Sequence, residues 1–116
     1  MARVVAFIPD LLFGSNVLGA LRAAGHDATL ATDAGALTRE LEGADVLVVD
    51  LTLDPADRIA QLRTRPQGVR TLAFYSHVET EVRALAEEAG FDLVVPRSRM
   101  AREGAALVER LSAPGG

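Results

Sequence analysis

The chain of 116 residues contains no cysteine, and apart from two histidines its basic side chains are all arginine. Without thiols there are no disulfides, thiolate nucleophiles or thiolate metal sites. Without lysine, neither Schiff-base chemistry nor a lysine-dependent phosphate site is available. Long apolar runs are missing as well. The N-terminal one, VVAFI, stops at Pro9-Asp10, which fits neither a signal peptide nor a membrane span. A cytoplasmic location with no membrane contact is expected on that ground. The net charge of −4 argues against nucleic acid as a partner, because phosphate backbones are held mainly by clustered cations. Only Arg97, Arg99 and Arg102 come close together, and the ordinary reading of such a run is a solvated helix face.

What is present is an alternation. With 49% hydrophobic and 24% charged residues, the chain has the composition of one globular domain with a single core. Five short apolar runs recur, at 4–8, 28–31, 46–49, 71–75 and 93–95. Their Val, Leu and Ile content suits strands buried on both faces, as in a parallel sheet. The second run, broken by Thr29 and Thr32, reads as an edge. Between them lie helical stripes: Val17, Leu18, Leu21 and Ala24, closed by Gly25; Leu37 and Leu41, closed by Gly43; and Ile59 with Leu62 after an Asp54-Pro55 start. Val78, Val82, Leu85, Ala86 and Ala89 form the fourth, stopped by Gly90, and Ala101, Ala105, Val108 and Leu111 the fifth. This pattern predicts a flavodoxin-like three-layer α/β/α sandwich over 1–112 with a five-stranded parallel sheet of order 2-1-3-4-5, and a frayed tail over 113–116.

In such a sheet ligands bind beyond the carboxyl ends of strands 1 and 3. There the sequence places Pro9-Asp10 and Asp50, with Thr52 and Asp54 following. Strand 4 ends at Ser76-His77 and strand 5 at Pro96-Arg97-Ser98. Two facing carboxylates need a proton or a cation between them, and Mg²⁺ suits oxygen ligands in an open cleft. Asp10 and Asp50 are therefore the candidate metal ligands, Ser76 a hydrogen-bond donor and Arg97 the anion-contacting charge. Each has a plainer alternative: a hydrated strand end for Asp50, a cap for Asp10, and a helix N-cap for Ser76. His77 is a candidate pH sensor without a partner acid, and His26, after Gly25, reads as exposed in a turn. Gly14-Ser15-Asn16 reads as a helix start lacking the spacing of a nucleotide loop. Leu11, Leu12 and Phe13 read as an exposed loop that either marks a contact surface or folds over the cleft.

These residues resemble the receiver domain of bacterial response regulators, from Val4 to Leu111. In that family an aspartate ending strand 3 accepts a phosphoryl group and acids after strand 1 help to hold Mg²⁺. A Ser or Thr ends strand 4, and a Lys follows strand 5. The resemblance implies Asp50 as phosphoacceptor, Asp10 as one acid of the pair, and Ser76 as the switch hydroxyl. Three positions depart from the pattern. Pro9 replaces the first acid, Pro96 stands at the Lys position, and DLTLDP displaces the proline that follows the acceptor. Arg97, beside Pro96, differs in shape from a lysine ammonium. The resemblance thus implies a stand-alone, degenerate receiver-like signalling domain that is not an enzyme. It would act through protein contacts with a kinase, an output protein or a second copy, with Mg²⁺ as its one candidate cofactor. The alternative is a phosphorylation-independent interaction module or a small-ligand-binding domain.

Overall fold

A computed structural model describes residues 2–76 and 78–113 of the chain. The readings of His77 and of the tail at 114–116 lie outside the described residues. The strands are β1 (Arg3–Phe7), β2 (Asp27–Ala31), β3 (Val46–Asp50), β4 (Arg70–Tyr75) and β5 (Leu93–Pro96). Between and after them run α1 (Leu11–Ala23), α2 (Ala34–Leu41), α3 (Pro55–Gln61), α4 (Thr80–Glu88) and α5 (Arg97–Ser112). All pairings are parallel and the order is β2-β1-β3-β4-β5, as the alternation of elements implies. β2 is an edge. Among the described residues no helix is long and apolar enough to cross a membrane.

The period-2 alternation of strand side chains divides the core into two layers. Val5, Phe7, Leu47, Val49, Ala73 and Tyr75 pack against α2, α3 and α4. Val4, Ala6, Val46, Val48, Leu72 and Phe74 pack against α1 and α5. β3 is buried along its whole length, as a central strand covered on both faces must be.

At the amino edge, a short pattern supplies partners to the first N–H groups of the strands. Gly-x-Asp occurs as Gly25-His26-Asp27, Gly43-Ala44-Asp45 and Gly90-Phe91-Asp92, and all three glycines have positive φ. Each ends a helix in a conformation that suits glycine and turns the chain into the next strand. Asp45 then accepts the N–H of Arg3 at 2.8 Å, and Asp92 that of Thr71 at 2.8 Å. Before β2 the task falls to His26, whose Nδ1 accepts the N–H of Ala2 at 3.2 Å. His26 is therefore buried, at 5% exposure, and not exposed in a turn. With Nδ1 an acceptor, neutral His26 carries its proton on Nε2, which lies 3.3 Å from Glu109 Oε2.

Two helix starts differ from expectation, and a third agrees in place but not in its capping bond. α1 begins at Leu11, so Leu11, Leu12 and Phe13 form its first turn and Gly14-Ser15-Asn16 lies inside it. Gly14 has a packing reason, since a Cβ there would meet Leu30 Cδ1 at 2.9 Å. α4 is capped at Glu79, not Ser76, which leaves Val78 outside the helix and 74% exposed. α3 does start at Asp54-Pro55, but Asp54 has φ 49 and its side chain makes no capping bond. In α5 the buried residues are Met100, Gly104, Leu107 and Val108; of the expected stripe, Val108 is buried and Ala105 and Leu111 pack partly buried against the same layer, while Ala101 is exposed.

Candidate functional site

The strand registers place the candidate residues on two levels. Asp50 closes β3 opposite Phe74. Tyr75 pairs with Pro96, so Ser76 and Arg97 stand one step beyond that pair. Asp50 alternates with Val46 and Val48, which directs it to the α1/α5 side, and it is only 5% exposed. A carboxylate this buried requires donors. Thr52 supplies two, its N–H at 2.8 Å and its hydroxyl at 2.5 Å, both to Asp50 Oδ1. The hydroxyl contact lies in the short range of charge-assisted bonds. Asp50 is thus not a hydrated strand end; the chain folds back over it within two residues.

Asp10 is the N-cap of α1. Its Oδ1 accepts the N–H groups of Leu12 and Phe13, each at 3.1 Å. Caps of this kind contribute about 1 kcal/mol. Its Oδ2 lies 3.6 Å from Arg97 Nη2, with both side chains about half exposed. That distance is an ion pair and not a hydrogen bond, and its Coulomb contribution is about 0–1 kcal/mol.

What fixes Arg97 is the ring beneath it. Its guanidinium carbon sits 4.2 Å above the Phe13 ring, and Phe13 meets Phe74 with centroids 5.2 Å apart and planes tilted by 55°. Both contacts fall within the range of favourable cation–π and aromatic pairs. Phe74 is fully buried in the core. A continuous column therefore rises from β4 through Phe13 to Arg97, with Asp10 beside its upper end. Phe13 folds over the sheet edge, while Leu11 and Leu12 stay 64% and 77% exposed. Of the two readings of that triplet, Phe13 follows the covering one, and Leu11 and Leu12 remain exposed.

Beside the column an open hollow of about 610 Å³ is lined by Phe13, Thr52, Ser76, Glu79, Arg97 and Ser98. Ser76 is half-buried, and its carbonyl accepts the N–H of Glu79 at 2.9 Å. The hollow brings Ser76 and Arg97 together with Thr52, which roofs Asp50.

The donor set does not fit Mg²⁺. Pro9 offers no side-chain ligand, one oxygen of Asp10 is taken by the helix cap, and the other faces a guanidinium. One oxygen of Asp50 is taken by Thr52. Among the described residues no group of three or more His, Asp or Glu side chains is arranged to hold a metal ion. Two contributors were not singled out from the sequence, Thr52 and the column-forming role of Phe13. Thr52 had a signal: an Asp followed two residues later by Thr at a strand end is the spacing of a side-chain-closed turn.

No protein-family model matches the sequence, and no curated protein does. Solved structures match closely in shape. A response regulator from Thermotoga maritima superposes with a TM-score of 0.81 at 14% identity, covering 97% of this chain and 98% of that one. The receiver domain of the Francisella response regulator 1452 gives 0.81 at 19% identity, with 97% of each chain covered. The non-phosphorylated HemR receiver domain from Leptospira biflexa gives 0.80 at 16% identity, covering 100% of this chain and 98% of that one. With the same sheet order, five flanking helices and almost no residue left outside these superpositions, the chain has the fold of a response-regulator receiver domain.

Proposed function

We propose that this domain is a receiver-like signalling module that acts through protein–protein contact, with the carboxyl edge of its sheet as the contact surface and without dependence on a phosphoryl group. The observation that carries this reading is an apolar collar. Leu11, Leu12, Leu53 and Val78 are each 64–77% exposed. They stand after β1, β3 and β4, the three adjacent central strands. Large apolar side chains gathered on one edge are costly to leave in water and are typical of binding surfaces. Beneath the collar Asp10 faces Arg97 and Asp50 is bonded by Thr52, so the collar is the most exposed apolar feature of this edge. A photo-crosslinking residue placed at Leu12 or at Val78 in the native host should give a discrete protein adduct. The same residue at Gln67, exposed on the opposite edge, should not. Equal labelling from all three positions, or none, would remove the carboxyl edge as the contact surface.

A second reading keeps Asp50 as phosphoacceptor and Ser76 as the switch hydroxyl. It is supported by the position of Asp50 at the end of the central strand, beside a hollow edged by Ser76 and Arg97. Incubation with Mg²⁺ and a small phosphodonor separates the two readings by intact mass. The contact reading expects no added phosphoryl group. One added group that disappears in Asp50→Asn would establish the second.

A further inference from the structure

We infer that Arg97 is a built-in counter-ion for this edge: held on Phe13 and facing Asp10, it opposes the binding of a divalent cation at the Asp10 carboxylate. This goes beyond the contact reading and holds whether or not a partner docks there.

The number of acids alone does not decide whether Mg²⁺ fits this edge. Mg²⁺ often binds through one or two carboxylates and fills its remaining positions with water, so Asp10 and Asp50 together reach the minimum donor number. What opposes the ion is the charge already present. Arg97 Nη2 stands 3.6 Å from Asp10 Oδ2, the oxygen left over after helix capping. A cation bound to that oxygen would lie against a guanidinium that cannot give up its proton.

The guanidinium cannot readily turn aside either. It lies 4.2 Å over Phe13, whose own position is set by Phe74 in the core. A weakly hydrated, planar cation suits that aromatic face, whereas a compact ammonium would prefer water. Arg97 is also the first residue of α5, directly after Pro96, so its Cα is fixed by the end of β5. Three constraints therefore hold one positive charge at Asp10: the strand end, the ring and the carboxylate itself. Because the pair is half exposed, the exclusion is moderate, and its removal should tighten Mg²⁺ binding by up to about fivefold.

The test is a Mg²⁺ titration of the full chain, followed by amide NMR shifts around Asp10 and Asp50 and by the thermal midpoint. The natural chain should respond weakly or not at all at millimolar Mg²⁺. Arg97→Gln, which removes the charge and leaves an exposed polar side chain, should show saturable shifts at both aspartates and a Mg²⁺-dependent rise in midpoint. Arg97→Lys, which keeps the charge but loses the stacked plane, should fall between the two. Adding Asp10→Asn to Arg97→Gln should abolish the response. If Arg97→Gln stays silent, or the natural chain binds Mg²⁺ as tightly as the variant, the inference is wrong. Neither result bears on crosslinking from Leu12 and Val78, so the two proposals fail separately.

Discussion

Truncation of Phe74 to alanine should lower folding stability by about 3–5 kcal/mol, a large share of the roughly 5–15 kcal/mol available to a domain. The side chain is fully buried, packs in the α1/α5 layer, and lies level with Asp50 across the β3–β4 ladder. Its loss removes transfer free energy and leaves a void that flanking β-strands cannot close, because their spacing is fixed by the hydrogen-bond ladder. It also takes away the floor on which Phe13 rests. Urea denaturation should show a lower midpoint with an unchanged slope, the mark of lost stability without a change in the unfolded chain. Phe13→Ala, at a half-buried position, should cost only about 1–2 kcal/mol while releasing Arg97 equally well. A loss below about 1 kcal/mol for Phe74→Ala would mean that the column does not rest on it.

The fold could be read from the sequence because each layer of a parallel sandwich leaves its own mark. Runs such as VLVV at 46–49 are apolar at every position since both faces are covered, and the glycines at 25, 43 and 90 close helices at the required places. Even the edge position of β2 showed, in its threonines. What the sequence did not reveal depends on contacts between distant segments. Nothing in Gly25-His26 indicates that an imidazole will meet the N–H of Ala2, 24 residues away in sequence. Likewise Phe13 reads as one of three equivalent apolar residues until α5 delivers Arg97 to its face. In α5 a single position departs for a related reason. Ala105, Val108 and Leu111 face the α1/α5 layer as the stripe predicts, and only docking on that layer decides that Met100 and Leu107 turn inward while Ala101 stays out.

The site shows the same division. The sequence brought Asp10, Asp50, Ser76 and Arg97 to one edge through topology, and the structure puts them there. How they are paired is a matter of side-chain geometry. Asp10 turns its oxygens to a helix cap and to Arg97, and Asp50 turns one to Thr52. Each of the two acids therefore has donors of its own, the amides of Leu12 and Phe13 for Asp10 and Thr52 for Asp50. The departures at Pro9 and Pro96 have a common sense in that light. If Arg97 serves as the counter-ion proposed above, the edge carries its own positive charge beside a lone acid, and neither a second acid nor a lysine is required for that charge balance.

Leu12→Glu should leave the fold intact and weaken partner contact by about 2 kcal/mol or more, roughly thirtyfold. The side chain is 77% exposed, so little burial is lost within the domain. Leu12 lies in the first turn of α1, which has no acidic residue, and a carboxylate there meets the positive end of the helix dipole. That gain of about 0.3–1 kcal/mol offsets any repulsion from the Asp10 cap, so thermal unfolding should shift little. At an apolar interface the same carboxylate would be desolvated without a partner, which is where the large cost arises. With the photo-crosslinking residue at Val78, introducing Leu12→Glu should remove most of the adduct, whereas glutamate at Gln67 should not. Undiminished adduct from a folded Leu12→Glu chain would show that α1 does not contribute to the contact surface, and the apolar collar would then reduce to Leu53 and Val78.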